Sequence, residues 1–328
     1  MREGAARPVA TPSLAAADAR ARMTADVRDG LLRAGQKELP PTYFYDERGS
    51  ALFDEITRLA EYYPTRAEHE LLEHWAPDII RLTAPRALAE LGAGTATKSR
   101  ILLRELARRD RPAQYLPLDV DGDTLARTSV ALRTEFPSLE VVPLVADMRD
   151  DVAAHGARHP LLYAFLGSTI GNFDQASARE LLQRIRGALR PTDRLLLGVD
   201  LVKDRARLEA AYNDALGVTA DFNRNVLRVL NRELDADFEC DAFVHRAFYD
   251  VGKARIEMHL VAQRAQVVRI PGVGEAHFGA GESIRTEISC KYDRRSTGAL
   301  LRSAGFRLTE WMTSPEPLVA LALAEPLV

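Results

Sequence analysis

Residues 88–100 read LAELGAGTATKSR, an apolar strand, a glycine turn and the start of a helix, and this stretch decides the fold. Gly92 and Gly94 can adopt positive φ angles and let the backbone approach a ligand, and the helix N-terminus favours an anionic group. A dinucleotide site would have a third glycine where this chain has Thr97. Glu90 would also place a negative charge beside a pyrophosphate. The stretch therefore favours a cationic nucleotide, such as the sulfonium S-adenosylmethionine (SAM), over NAD.

Two further acids end the next predicted strands. Asp119 closes QYLPLDV, where its carboxylate could accept both ribose hydroxyls, and Asp147 closes LEVVPLVAD, where it could meet an adenine amino group. Taken singly, an aspartate at such a place is often only a helix cap, and a lone G-x-G is often only packing. Three successive strands that end in such groups favour a SAM site.

Short apolar strands alternate with amphipathic helices between Ala87 and Asp200. The alternation predicts five strands, at ALAEL, QYLPLDV, LEVVPLVAD, PLLYAFLG and DRLLLGVD. Such a pattern is typical of a doubly wound parallel sheet that is covered on both faces. We expect the last strand pair of the chain, FRLTEWM and LVALALAE, to complete this sheet.

The alternation stops after Asp200, which predicts an additional lobe. Residues 202–234 have a helical pattern throughout, and strand-like runs follow at CDAFVHRAFYD, RIEMHLVAQ, AQVVRIPG and SIRTEISCKY. At the other end of the chain, residues 1–14 lack an apolar period and are predicted to be disordered, and a helix is predicted from about Leu14 to Ala34. The late segment, joined by N-terminal residues, is expected to form an α+β lobe.

The composition excludes several classes of protein. The 328 residues include 44 Lys and Arg against 47 Asp and Glu, which gives no basic surface for nucleic acid or an anionic membrane. No apolar run approaches the ~20 residues of a membrane span, and the N-terminus lacks a secretory apolar region. Two cysteines, and histidines without H-x-x-H spacing, predict neither a disulfide framework nor a metal site. We expect a cytoplasmic protein.

Residues 165–172, FLGSTIGN, change abruptly from apolar to small and polar where a buried strand ends. In open α/β sheets ligands bind at such places. The alternative is an ordinary loop that needs glycine for positive φ angles and polar residues for turn chemistry. From this stretch alone both interpretations stay open.

Longer motifs carry a resemblance to a known family, in the order LPPTYFYDERGSALFDEITRLAEYYPTRAE, ELGAGTATKSR, FLGSTIGNF, LLLGVDLVKD, GVTADFNRNVLRVLNREL and TEISCKY. From about residue 25 to its C-terminus the chain resembles the SAM-dependent, histidine-specific Nα-methyltransferases of ergothioneine biosynthesis. The resemblance implies an α/β, class I methyltransferase with an inserted α+β substrate-binding lobe. It further implies three methyl transfers to the α-amine of histidine, which give trimethylhistidine (hercynine) and release S-adenosylhomocysteine.

The resemblance also implies domain boundaries. Residues 1–66 would contribute to the substrate lobe, 67–202 would form the SAM-binding domain, 203–291 the inserted lobe, and 292–328 the completion of the SAM-binding domain. We expect a monomer whose partner is a small-molecule substrate.

Site residues follow from positions that match the family's motifs. Tyr45 and Asn172 are implied to lie at the reacting amine, Tyr45 as a proton acceptor through water. The substrate-binding positions are Phe53, Tyr62, Gly167, Asn172, Tyr212, Met258, Glu287 and Ser289. The matching cofactor positions are Gly92, Lys98, Asp119 and Asp147, to which the glycine turn adds Glu90 and Gly94.

Within this set, Glu287 and Ser289 are implied to bind the imidazole nitrogens, and Tyr212 the carboxylate. Three departures from the family pattern are Ala93, where serine is common, Met148, where an aromatic residue is common, and His259, where tryptophan is usual.

Spacing alone leaves alternatives. Glu287 and Ser289, two apart on a predicted strand, share one face, which without the resemblance would more simply be a solvated face. A rival function is the same reaction on another amino acid, such as tryptophan, or on a histidine derivative. An NAD(P)-dependent oxidoreductase and a sensor that binds the nucleotide without turnover are the alternatives from other classes.

Overall fold

The computed structural model describes residues 14–109, 111–148 and 152–327. The segment predicted to be disordered, up to residue 13, lies outside the described residues. The α-helices in the described part are α1 (Leu14–Leu31), α2 (Glu47–Ile56), α3 (Pro64–Thr83), α4 (Ser99–Ala107), α5 (Gly122–Glu135), α6 (Gln175–Ala188), α7 (Arg205–Ala210), α8 (Val218–Leu234) and α9 (Arg294–Ser303).

The strands of the described part fall into three sheets. They are β1 (Lys37–Glu38), β2 (Ala87–Leu91), β3 (Ala113–Asp119), β4 (Leu139–Val141), β5 (Leu144–Val145), β6 (Leu161–Phe165), β7 (Arg194–Asp200), β8 (Phe243–Asp250), β9 (Arg255–Ala262), β10 (Gln266–Ile270), β11 (Gly274–Phe278), β12 (Ser283–Cys290), β13 (Phe306–Thr313) and β14 (Val319–Pro326).

The largest sheet has the strand order β13-β14-β7-β6-β2-β3-β4, with β5 paired to β3. Strands β2 to β7 run parallel, whereas β14 is antiparallel to both β7 and β13. Strands β2 and β6 are buried along their whole length, as their continuous apolar runs predicted. The doubly wound parallel sheet, completed by the last strand pair, is confirmed.

Helices α6 and α9 cover one face of this sheet with aliphatic side chains. Leu181, Leu182 and Ile185 of α6 and Leu300 and Leu301 of α9 are part of its hydrophobic core. Burial of this apolar surface, at about 25 cal/mol per Å², is the main term that holds these helices on the sheet. The parallel strands are thereby fixed, and their carboxyl ends form one edge at which the loops after β2, β3, β5 and β6 emerge.

By its contacts the chain divides into two compact units. The lobe unit comprises Met1–Glu55, Ala215–Ala247 and Met258–Glu287. The central-sheet unit comprises Ile56–Asp214, Phe248–Glu257 and Ile288–Val328. The four domain boundaries expected from the sequence stay a prediction.

Two elements that were predicted to be continuous are each divided in the structure. The single strand expected over LEVVPLVAD is split into β4 and β5, because Pro143 between them has no N–H to donate to a ladder. The helical pattern over 202–234 is divided into α7 and α8. Asp204 caps the first helix through the backbone N–H of Arg207, and Gly217 precedes the second with a φ of 75°. Helix α1 ends at Leu31, short of the predicted Ala34.

Candidate active site

The turn after β2 is tied to the end of β3. Gly92 has a φ of 72° and Gly94 a φ of 50°. The backbone N–H of Gly92 donates to Leu118 O over 2.8 Å, and that of Gly94 to Asp119 Oδ2 over 2.9 Å. A Cβ added to Gly94 would meet nothing within 4 Å, whereas one on Gly92 would lie 2.9 Å from Cε of Met148. An open turn beside an acidic strand end fits the adenosyl and amino-acid parts of SAM.

Glu90 lies beneath this turn and is 4% exposed. The hydroxyls of Ser99 and of Tyr115 both donate to its Oε2, the second over 2.6 Å. Burial raises the pKa of Glu90 to about 7, although these two hydrogen bonds and the ammonium of Lys98 lower it. Its contact with a SAM ammonium stays a prediction.

The turn FLGSTIGN follows β6 with two consecutive residues in the left-handed region, Gly167 at a φ of 77° and Ser168 at 56°. A non-glycine residue there costs on the order of 1 kcal/mol or more, so the surroundings must hold the turn. Glu68 of α3 does so: it is 1% exposed and accepts the backbone N–H of Gly167 at 2.9 Å. The same carboxylate pairs with the ammonium of Lys98. Glu68 thus links a predicted cofactor residue to a predicted substrate residue.

The second half of the turn is the one-turn helix Thr169–Asn172, which lies against the end of β12. A Cβ on Gly171 would come within 2.9 Å of the carbonyl oxygen of Cys290 and 3.5 Å of Oγ of Ser289. Only glycine allows this approach. The next residue, Asn172, is half-buried, and the described part of the chain provides no hydrogen-bond partner for its side-chain amide. Its polar atoms are therefore available to a ligand.

Ser289 is hydrogen-bonded to Tyr212 and to a lysine that the sequence reasoning missed. Tyr212 donates its hydroxyl to Ser289 Oγ over 2.9 Å. The ammonium of Lys291 donates to Ser289 Oγ over 2.7 Å and to Tyr212 Oη over 3.1 Å. The side chain of Lys291 has no solvent exposure, and its ion pair with Asp200 spans 2.8 Å.

Asp200, the last residue of β7, also contacts Tyr63 and Lys203. The hydroxyl of Tyr63 lies 2.9 Å from each carboxylate oxygen, and Lys203 forms a second ion pair with Asp200. Burial raises the pKa of Asp200, but the two ammonium groups outweigh it, and the net pKa is lowered. The predicted pocket residue Tyr62 lies beside this cluster, with its ring centroid 6.3 Å from that of Tyr212.

The lobe unit holds an aromatic group around the predicted residues Tyr45 and Phe53. Their ring centroids are 5.7 Å apart at an angle of 74°. Phe222 of α8 contacts both rings, at 5.6 Å and 6.0 Å. Tyr45 remains 47% exposed.

The other two lobe residues belong to adjacent strands. Met258 of β9 is 2% exposed, and its carbonyl accepts the hydroxyl of Thr286 over 3.1 Å. Glu287, next to Thr286 in β12, is half-buried. Asn223 accepts the same hydroxyl at 2.6 Å and donates to the carbonyl of His259 at 3.1 Å. This buried amide fixes the spacing of the two strands that carry Met258 and Glu287.

Metal-binding clusters and membrane-spanning helices are both absent from the described residues. No group of three or more His, Cys, Asp or Glu side chains there could hold a metal ion. None of the helices there has the length and apolar character needed to cross a bilayer.

Comparison with known proteins identifies the family. The family described as histidine-specific, SAM-dependent methyltransferase matches residues 23–326. The chain belongs to this family. It is 46% identical to a histidine N-alpha-methyltransferase of Mycolicibacterium smegmatis, over 95% of this chain and 97% of that protein. The corresponding enzyme of Mycobacterium tuberculosis is 44% identical over 91% and 93%. Ergothioneine biosynthesis protein 1 of Neurospora crassa is 32% identical over 84% of this chain and 32% of its own length.

The family relationship confirms the resemblance and SAM as the methyl donor. Of the predicted site residues, the structure brings together Tyr45 with Phe53, Tyr62 with Tyr212 and Ser289, Gly94 with Asp119, and Gly167 with Lys98. Asp147, after β5, is half-buried at the same edge of the sheet. The individual roles of these residues stay predictions.

The residues that sequence reasoning missed are those behind the site: Glu68, Asp200, Phe222, Asn223 and Lys291. The available signal for Asp200 was a charged residue at the end of the apolar run LLLGV. Lys291 gave no such signal, because its motif TEISCKY is already polar. Glu68 gave none, because it lies among other acids of a helix whose exposed face is also charged.

Proposed function

We propose that the protein is an L-histidine Nα-methyltransferase that forms hercynine in three successive methyl transfers from SAM, as the first step of ergothioneine biosynthesis. Family membership over residues 23–326 and the names of the relatives support the reaction class, the acceptor and the pathway. The observation that carries the proposal is the FLGSTIGN turn. It is linked through Glu68 to Lys98 of the cofactor motif, and it contacts Ser289 of the imidazole motif.

SAM supplies a methyl group on a sulfonium sulfur, which accepts the bonding electrons when the C–S bond breaks. The nitrogen lone pair of the substrate must point along that bond, and orientation contributes much of the rate. Asn172 suits the orienting role because its amide offers a donor for the carboxylate and an acceptor for the amine. Gly167 and Gly171 let the backbone of the turn approach without side chains.

A proton must leave the amine before each of the three transfers, because the α-ammonium is mostly protonated at pH 7. The third transfer leaves a quaternary nitrogen that carries no proton. We assign the proton's exit to the hydroxyl of Tyr45, a partly exposed residue from which the proton would pass to water. Edge contacts with Phe53 and Phe222 hold its ring in place.

Selection of imidazole is assigned to Glu287 and Ser289, which lie two residues apart on β12. A site built to hydrogen-bond both ring nitrogens rejects a phenyl ring by leaving its own polar groups unpaired, which gives discrimination of about 10⁴-fold or more. Indole, with one N–H and no acceptor, would satisfy only one of the two groups.

A panel of amino acids tests this proposal. The purified chain is incubated with SAM and with histidine, tryptophan, phenylalanine, or mono- and dimethylhistidine, and S-adenosylhomocysteine is measured over time. We expect turnover with histidine, at least equal turnover with the two partly methylated forms, and little with the others. A preference for tryptophan would overturn the substrate assignment. Action as a monomer in the cytoplasm is part of the proposal, and light scattering tests the monomer.

A further inference from the structure

The buried Lys291 has a fully defined set of hydrogen bonds. Its ammonium carries three hydrogens, and three acceptors surround it: Asp200 Oδ2 at 2.8 Å, Ser289 Oγ at 2.7 Å and Tyr212 Oη at 3.1 Å. Burial lowers the pKa of Lys291, but the carboxylate of Asp200 reverses this and the net pKa is raised. The group therefore stays charged and can only donate.

This arrangement fixes the hydrogen-bonding state of Ser289. Its oxygen has two lone pairs. One accepts from Lys291 and the other from the hydroxyl of Tyr212, at 2.9 Å. The hydroxyl hydrogen of Ser289 is left, and among the described residues none accepts it. Ser289 can therefore offer a ligand a donor and no acceptor.

From this geometry we infer that Lys291, held by Asp200, is a positioning residue that makes Ser289 a hydrogen-bond donor, so that the site binds the imidazole ring only in its neutral form. The inference rests on the proposed function, in which Ser289 meets a ring nitrogen. A neutral ring has one bare nitrogen to accept from Ser289 and one N–H to donate to Glu287. An imidazolium has N–H groups on both nitrogens. One of them would face Ser289 Oγ, whose two lone pairs already accept hydrogen bonds and which lies next to the buried ammonium of Lys291.

Other titratable groups also lie around Ser289. These groups are Cys290, Glu287, Tyr63, Lys203, Tyr249 and Arg255. Burial raises the pKa values of the cysteine and both tyrosines, and burial lowers that of Lys203 to about 8. Imidazole ordinarily titrates near 6.5, so the ligand's ring is expected to change its charge between pH 5.5 and 7.5. Glu90, whose pKa of about 7 lies in the same range, is hydrogen-bonded to Ser99 and Tyr115 and not to Ser289.

Binding of trimethylhistidine to the unaltered protein is the first test. Its quaternary nitrogen does not titrate, so the pH dependence reports the ring, whose free pKa is measured by NMR. Calorimetry is done with saturating S-adenosylhomocysteine from pH 5.5 to 7.5. At one pH unit below the ring's pKa only about a tenth of the ligand is neutral, so the apparent Kd should rise about tenfold. An affinity that stays constant, or that increases at low pH, overturns the inference.

Two lysine variants provide the second test. Lys291→Met removes the donor to Ser289, which regains a lone pair and can accept from an imidazolium, so the low-pH rise in Kd should fall to about threefold or less. Lys203→Met is the matched control, because this lysine contacts the same Asp200 but neither Ser289 nor Tyr212. It should keep the tenfold rise.

The outcomes separate the inference from the proposed function. If trimethylhistidine and histidine bind at no pH, while SAM still binds, the proposed function fails. If both ligands bind at pH 7.5, the function stands and the two variants decide the inference. The inference fails if Lys291→Met keeps the pH dependence of the unaltered protein. It also fails if Lys203→Met loses that dependence to the same extent as Lys291→Met. Circular dichroism of each variant establishes folding, and if Lys291→Met does not fold, the result with the unaltered protein decides.

Discussion

The buried carboxyl of Glu90 leads to a quantitative prediction about stability. Its pKa is raised to about 7 by burial, whereas in an unfolded chain it has the ordinary value of 4.5. As the pH rises between these two values, the unfolded state loses its proton first and so binds fewer protons than the folded state. The contribution of Glu90 to the free energy of unfolding must therefore fall with rising pH across this range.

The substitution Glu90→Gln removes the titration and keeps the shape. The amide oxygen of the glutamine can accept from both Ser99 and Tyr115, which now donate to one carboxylate oxygen. One pH unit between the two pKa values corresponds to about 1.4 kcal/mol. Between pH 5 and pH 8 the variant should thus gain about 2.5 kcal/mol in free energy of unfolding relative to the unaltered protein.

Urea unfolding without SAM, followed by tryptophan fluorescence at pH 5 and pH 8, measures this difference. Glu70→Gln is the matched control, because Glu70 is an exposed glutamate of α3 that is solvated whether the chain is folded or not. The free energy of unfolding of Glu70→Gln should differ from that of the unaltered protein by the same amount at pH 5 and pH 8. If Glu90→Gln also gives an unchanged difference, the argument from burial is refuted.

Three other substitutions test the site. Asn172→Ala should weaken histidine binding about 10- to 100-fold, the usual cost of losing a hydrogen bond to a charged group, and should weaken SAM binding far less. Calorimetry that shows equal losses of affinity for histidine and SAM would contradict the role of Asn172. Glu287→Ala should reduce the ratio of kcat/KM for histidine over phenylalanine by about tenfold or more; an unchanged ratio from competition assays argues against it. Gly171→Ala should lower kcat/KM for histidine at least about tenfold, because its Cβ meets Cys290 and a misplacement of about 1 Å is costly. The control Gly187→Ala, with nothing within 4 Å, should leave kcat/KM unchanged, and equal effects of the two would remove the steric reason.

Much of the fold was predictable because the periodicity of buried strands is local. Strand β2 has the limits of the apolar run ALAEL, and the last strand pair joined the sheet as expected. The predictions were wrong where a single residue interrupts a strand or where a strand has few apolar residues. Pro143 divides a run that is apolar on both sides, and hairpin strand β11, GEAHF, has too few apolar residues to stand out.

The candidate site was predictable only where a motif presented its residues in sequence. Asn172 and Ser289 could be named from FLGSTIGN and TEISCKY. The groups that hold them could not, because hydrogen bonds between Glu68 and Gly167, or between Lys291 and Tyr212, join residues far apart in the chain. Such pairings depend on the order of the strands in the sheet, which local patterns do not contain.

The position and number of methyl groups on the product test the central claim most directly. Histidine is incubated with the chain and excess SAM, and the product is examined by tandem mass spectrometry and NMR. The account predicts histidine that carries three methyl groups, all on the α-nitrogen, with an unmodified ring. Methylation of a ring nitrogen, or no methylation of histidine while another amino acid is consumed, would contradict it.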